Sequence, residues 1–418
     1  MPLEATDKIA LDARAHLSIV DSGGLVFSET TQEIYALNTL ATFVWCCAEE
    51  DMSVPDTAHR IARSFGFSPD KAATEVAALL GQWRGLGLMA GRDGEEARIP
   101  PRKAEEKYPV PTGMPHWVQP IVVAERRYRL LTTVVTVRFT NVEQEAWVHP
   151  VLAQFETQES SHAVSVIDMI EVDGHHLIYS DKEPRARCED LDTIAPWVKS
   201  LVWQSAIDHY DYFLQIHAGV VGAGDHCILL PGAPGNGKST LTSALSHAGF
   251  DYYSDEVALL EYPGFVVRPL PLSIGVKSTG WDVLAPYMPE LRDLPIHRRA
   301  DGKVLRYVPP PVPDIHADRD TGCRVGQIIF PCYAPDADTR LEPLGRVAAL
   351  KRLMDECLAI PGRLTVDNVA GLARWIKSVN CYELPLSSLD EAVALVRGIA
   401  SPSRTGSDDS ALVDSTRT

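Results

Sequence analysis

The run Gly232-Ala233-Pro234-Gly235-Asn236-Gly237-Lys238-Ser239 is a full GxxxxGK[ST] pattern, and its flanks supply the context that such a loop requires. Cys227-Ile-Leu-Leu230 ahead of it reads as a short apolar strand. Leu241, Ala244, Leu245 and Ala248 behind it recur at helical spacing until Gly249. Gly232, Gly235 and Gly237 let the backbone take positive φ and approach phosphate oxygens, so that successive N–H groups form an anion nest. The helix N-terminus at Lys238–Thr240 adds its dipole to the same charge. Lys238 is expected to reach the β and γ phosphates and the Ser239 hydroxyl to ligate Mg2+, so residues Gly232 through Thr240 form the candidate site for ATP with Mg2+.

Downstream, Tyr252-Tyr-Ser-Asp255-Glu256-Val257-Ala-Leu-Leu260 places two carboxylates in an otherwise apolar strand pattern. Charges there are costly unless they meet a metal or cations, so a position facing the phosphates accounts for them. Upstream, His217 sits in Leu214-Gln-Ile-His-Ala-Gly-Val-Val221, and the turn Gly222-Ala-Gly224-Asp225 joins that strand to the one entering the loop. His217, Lys238, Asp255 and Glu256 are the candidate catalytic set, and Ser239, Asp255 and Glu256 the candidate metal ligands. Arg268 and Lys277 suit a strand crossing near the phosphates. His297, Arg298, Arg299, Lys303, Arg306 and Tyr307 form a basic patch in an acidic chain. A transferred phosphoryl group and an acidic peptide both favour such cations.

The elements that must position these residues are legible in outline. The chain has 418 residues, 45% hydrophobic and 23% charged, which at roughly 150 residues per domain predicts two or three domains. Its net charge of −17 argues against general binding to nucleic acid or anionic membranes. No apolar run is long enough for a membrane span, and the acidic start lacks the basic flank of a signal peptide. The expected location is cytoplasmic. Eight scattered cysteines without metal-ligand spacing read as reduced structural thiols.

Residues 1–92 read as a small domain: a strand pair around 18–20 and 25–27, then helices through Ile34–Trp45, from Ser53-Val-Pro55 to Gly66, and from Ser68-Pro69 to Gly85. Residues 93–117 mix charges with prolines and read as a linker. Residues 118–200 alternate β-branched and polar positions, with Asp173-Gly174 as a hairpin turn, and form a strand-rich subdomain. A helix from about Asp192 towards Tyr212 leads into 201–400, which holds the loop. From 401 to 418 the composition predicts a disordered tail. The predicted class is a multidomain α/β and α+β chain.

The run from His217 to Glu256, HAGVV, then ILLPGAPGNGKSTLTSAL, then GFDYYSDE, resembles the HPr kinase/phosphorylase family. The resemblance implies that family's phosphoenolpyruvate-carboxykinase-like fold with a mixed sheet, in which the strand before the loop is fed by an antiparallel neighbour. It also implies that Asp255 accepts the proton of a substrate hydroxyl and that Glu256 or Asp255 helps hold Mg2+. His217-Ala-Gly-Val220 carries one alanine more than the family's His-Gly-Val. Ser239-Thr240 replaces its Ser-Glu, a pattern similar to HPr-kinase-related proteins of peptide natural-product clusters. The family's Glu-rich phosphorylase signature is not found. Family members are oligomers, but no pattern here fixes a number.

Leu25-Val-Phe27, Glu33-Ile-Tyr-Ala-Leu-Asn38, Phe43-Val-Trp45, Ile61-Ala-Arg-Ser-Phe65 and Gly85-Leu-Gly-Leu88 resemble the winged-helix-like PqqD domains. Those domains hold leader peptides of ribosomally made natural products. The resemblance implies a peptide strand added at the 17–28 hairpin and the helix near 57–65. Together the two resemblances imply an ATP- and Mg2+-dependent kinase acting on Ser or Thr of a precursor peptide. Two alternatives stand beside it: a kinase of the same fold for a small-molecule hydroxyl, and a non-catalytic adaptor switched by nucleotide. The carboxylate pair favours catalysis, because mere binding needs no base.

Overall fold

The computed structural model describes residues 8–90, 113–159, 162–311 and 322–400. Most of the linker expected at 93–117 and the whole tail expected at 401–418 lie outside the described residues.

The N-terminal unit is an antiparallel sheet of β1 (Ala15–Val20), β2 (Gly23–Ser28) and β3 (Glu33–Leu37), followed by α1 (Thr39–Glu49), α2 (Val54–Phe65) and α3 (Pro69–Gly85). The helix signals act locally. Ser53 and Ser68 accept N–H bonds from Asp56 and Lys71, each with a proline in the first turn, and Gly66 stops α2 at φ 68°. Trp45 and Trp83 meet edge to face at 5.0 Å in the core. Ile34, Tyr35 and Leu37 were expected to be helical but belong to β3. Their backbone pairs with β2, Ile34 opposite Phe27 and Ala36 opposite Leu25. The helix begins only after Asn38, whose side chain caps the Ala41 N–H at 2.8 Å.

The middle unit comprises β4 (Ala124–Leu130), β5 (Thr133–Phe139), α4 (Val142–Leu152), β6 (Ser165–Val172), β7 (His175–Ser180), β8 (Glu183–Cys188) and α5 (Ile194–Asp208). The strands form one sheet in that order, with β5 and β6 parallel and the other neighbours antiparallel. Asp173 at φ 50° and Gly174 at φ 75° make the tight turn between β6 and β7. Helix α5 starts two residues after Asp192, which falls in a 3-10 turn. Its Val198, Leu201 and Val202 join the same core as Val257 and Leu259 of the next unit.

The third unit begins with β9 (Leu214–Ile216), β10 (Ala218–Ala223), β11 (His226–Pro231), α6 (Lys238–His247), β12 (Asp251–Ser254), β13 (Ala258–Glu261) and β14 (Val266–Val267). It continues with β15 (Ile274–Lys277), α7 (Trp281–Leu284), β16 (Ile296–Arg298), β17 (Val304–Val308), β18 (Cys323–Tyr333) and β19 (Glu342–Pro343). It closes with α8 (Arg346–Asp355), β20 (Cys357–Ala359), α9 (Val366–Lys377), β21 (Asn380–Leu386) and α10 (Leu389–Ala400). Its main sheet is mixed. β10 and β11 form an antiparallel hairpin, while β11, β18 and β21 run parallel. A smaller sheet of β15, β17 and β16 packs beside α6.

One stretch expected as a continuous strand is broken, and the strand expected from His217 begins one residue later. β10 starts at Ala218, while the His217 N–H donates to the Glu356 carbonyl at 2.9 Å. Tyr252–Leu260 divides at Asp255–Val257, where Ser254 Oγ accepts the N–H groups of Glu256 and Val257 at 3.3 and 3.2 Å.

Helix α6 lies close on β10. A Cβ on Gly219 would sit 2.1 Å from Thr242 Oγ1, whose hydroxyl donates to the Lys238 carbonyl at 2.9 Å. Gly219→Ala is therefore expected to lose roughly 1–3 kcal/mol by overpacking, measured as a lower urea midpoint at unchanged m-value. An unchanged midpoint would show that the helix can back away freely.

Candidate active site

The loop 232–237 leaves β11 at its C-terminal end and turns into α6, with Gly235 at φ 103° and Gly237 at φ 83°. Gly237 is the N-cap residue of α6, and no side chain caps that end. The first-turn N–H groups therefore face outward without a side-chain acceptor, the arrangement an anion satisfies. Lys238 is 6% exposed, and its ammonium donates to the Gly232 carbonyl at 3.3 Å. Burial lowers its pKa to about 8, against the opposing pull of Asp255, Glu356 and Glu256.

The two carboxylates after β12 are unlike. Glu256 accepts from Lys199 Nζ at 2.8 Å, and that ammonium is fully buried 5.1 Å from the Tyr307 ring centroid. Burial raises the Glu256 pKa most, but the Lys199 charge and hydrogen bond together with the Arg299 and His217 charges turn the net direction down. Burial likewise works most against the Lys199 cation, and Glu256 together with Tyr307 and Asp255 turns the net direction up, so the ammonium is held charged. Asp255 has no such ion pair among the described residues. It lies 3.1 Å from the Tyr252 hydroxyl, which also reaches the Leu272 carbonyl at 2.8 Å. Burial and the Glu256 charge raise Asp255 to about 6. The chain thus holds one carboxylate ionised by a fixed partner and keeps its neighbour ready to take a proton near neutral pH.

His217 and Glu356 complete this set. His217 Nδ1 lies 3.4 Å from Glu356 Oε2. Burial and the Lys238 charge lower the imidazole to about 4, so the ring is neutral near pH 7 and the contact is not an ion pair. Of the basic residues, Lys277 and Arg299 act on this site through their charge, Lys277 on His217 and Lys238, Arg299 on Glu256. The others are tied elsewhere. Arg268 pairs with Glu261 at 2.6 Å, Arg298 with Asp192 at 3.2 Å, and Lys303 with Asp301 at 2.6 Å. Arg306 donates to the carbonyls of Leu291 and Arg292 at 3.1 and 2.6 Å and stacks over Trp281, which makes it a structural clamp. His297 is enclosed between the rings of Trp147 and Tyr307.

The residues missing from the sequence reading are Lys199, Tyr252 and Glu356. A lysine on the apolar face of α5, between Val198 and Leu201, was a readable signal, since such a charge needs a buried partner. Glu356 carried none, because it reaches His217 only through the pairing of β20 with β9.

A second feature lies at the N-terminal unit. β3 is an edge strand, and beside it runs a cavity of about 430 Å3 lined by Tyr35, Leu37, Leu79, Trp83, Leu350 and Met354, among others. The hairpin expected to accept a peptide is not that edge. β2 is central, and α9 packs against β1, where Arg363 and Leu364 donate to Glu29 and Gln32 at 3.2 and 3.0 Å. Nor does α2 line the cavity; α3 and α8 do.

Residues 23–89 match the family described as coenzyme PQQ synthesis protein D (PqqD). The N-terminal unit is a PqqD domain. Its match runs from the start of β2 to the residue closing the fold after α3. Among solved structures, the Hpr(Ser) kinase/phosphatase from Coxiella burnetii is similar at 14% identity, with 44% of this chain and 95% of that chain covered and a TM-score of 0.21. No curated protein matches. No described helix is long and apolar enough to cross a membrane. The PqqD domain shares a core with the main sheet: Val20, Leu25 and Phe27 pack with Phe330, Leu350 and Leu372.

Proposed function

We propose that the chain is an ATP- and Mg2+-dependent kinase that phosphorylates a Ser or Thr hydroxyl of a precursor peptide held by its PqqD domain. The observation that carries the reading is the unlike setting of the two carboxylates: Lys199 pairs with Glu256 at 2.8 Å, while buried Asp255 has no ion pair among the described residues and so suits a proton acceptor.

The residues fit the cofactors. The uncapped N-terminus of α6 and the Lys238 ammonium suit a triphosphate. Ser239 on that first turn and Asp255 are the residues to hold Mg2+, with Glu256 already paired. Among the described residues no three His, Cys, Asp or Glu side chains form a metal cluster. Mg2+ commonly needs only one or two carboxylates beside substrate phosphates. When bound, MgATP supplies the phosphoryl group and the cation that offsets its charge. The chain does the rest: the loop amides and Lys238 orient the phosphates, and Asp255 orients and deprotonates the acceptor hydroxyl, with neutral His217 adding no charge beside Lys238. The peptide would extend the PqqD sheet along β3, the edge left open, in a groove that reaches the second half of the chain.

Intact-mass analysis of candidate precursor peptides with the full chain, ATP and Mg2+ tests this. A gain of one phosphoryl mass is expected, absent in Asp255→Asn. Transfer by Asp255→Asn at the wild-type rate would remove Asp255 from the chemistry.

A further inference from the structure

Helix α8 touches both the peptide groove and the phosphate site. Leu350, Lys351, Met354 and Asp355 form the groove wall opposite β3. The first turn of α8 is anchored on the PqqD domain: Arg346 Nη1 lies 3.3 Å from Asp21 Oδ2, and Val347 Cγ2 stands 3.0 Å from where a Cβ on Gly23 would be. Its other side grips the main sheet, with Arg352 paired to Glu383 of β21 at 2.9 Å and lying over the Phe330 ring of β18. The residue that caps the helix is Glu356. Its carbonyl accepts the His217 N–H at 2.9 Å, its carboxylate lies 3.4 Å from His217 Nδ1, and its charge acts on Lys238.

One short helix therefore ends in the phosphate site one residue after it leaves the groove. Packed helices shift as units more readily than they deform residue by residue, which gives a segment filling the groove a route to the position of Glu356. We propose that α8 couples the two sites, with Glu356 as the positioning residue that transmits occupancy of the groove to His217 and Lys238. The peptide is then more than a tethered substrate: its docked segment sets the geometry in which the phosphates are held. This rests on the reading of residues 232–240 as the nucleotide site.

Coupling is reciprocal, so MgATP alone must alter the groove with no peptide present. Amide hydrogen exchange of the full chain, with and without saturating MgATP, measures this. Slowing of about fivefold or more is expected at 33–38 and 350–356 as well as at 232–240. In Glu356→Ala, with MgATP raised until 232–240 is again protected, the slowing at 33–38 should vanish, with Glu356→Asp restoring part of it. Protection confined to 232–240 in the wild type overturns the coupling, and so does an undiminished response at 33–38 in Glu356→Ala. A purely structural Glu356 would change exchange at 33–38 equally with and without MgATP, which also overturns it. Absence of protection at 232–240 overturns the nucleotide reading itself, and the coupling with it.

Discussion

On the proposed kinase reading, Lys238→Ala is expected to lose phosphoryl transfer by about 10^2–10^3-fold or more while the protein stays folded. The size follows from where the charge sits. Lys238 is 6% exposed, so its attraction for phosphate is little screened by water, and the alanine variant puts no other cation in its place. Folding should survive for the same reason. Burial already holds the ammonium down to about 8, so the native state carries a charge it is reluctant to keep, and its hydrogen bond to the Gly232 carbonyl is a modest return. Stability is expected to hold or to rise. Initial rates of transfer to the acceptor peptide, alongside thermal melts, decide the matter. Transfer within tenfold of the wild type in a folded variant would remove the loop from catalysis.

The pair Lys199–Glu256 should respond asymmetrically to loss of either partner. Glu256→Gln leaves an ammonium buried at 2% exposure without its carboxylate, and breaking a buried pair in that way costs about 3–5 kcal/mol. Asp255 can take up part of the charge, which favours the lower end. Lys199→Met leaves a carboxylate that is 33% exposed and so hydrated in part, while the methionine fills the apolar slot between Val198 and Leu201; about 1–3 kcal/mol is expected. Urea midpoints of the two variants measure the difference. Equal losses, or a larger loss for Lys199→Met, would mean that the lysine stem and not its charge holds α5 against the third unit.

The PqqD domain cannot simply be deleted to ask whether it guides a peptide. Val20, Leu25 and Phe27 belong to the core of the main sheet, so their removal would expose apolar surface and destabilise the rest. Point changes in the groove are the sound alternative.

Much of this was legible in the residues themselves. The loop, its strand and its helix could be read because their cause is local: glycine positions that demand positive φ, an apolar run before them and a helical period after. The helix starts at Ser53 and Ser68 and the turn at Asp173-Gly174 were legible for the same reason, each being set by a side chain or backbone conformation within a few residues. Sequence also named His217, Asp255 and Glu256 as residues to watch, yet it laid the two carboxylates in one continuous strand. That strand breaks because the N–H groups of Glu256 and Val257 go to Ser254 Oγ instead of to a ladder. The basic patch was the opposite case. Its cations are visible in the chain, as is Asp301 between Arg299 and Lys303, but the partners of Arg298 and Arg306 are Asp190–Asp192 and backbone carbonyls that only folding brings near. The same holds for Lys199 against Glu256, Glu356 against His217, and the groove that β3 shares with α8. The sequence by itself determined the glycine loop between β11 and α6 and the PqqD domain, because propensity and spacing act over short range. The tertiary structure decided which charges meet and which sheet edge stays open, because both depend on pairings between segments far apart in the chain.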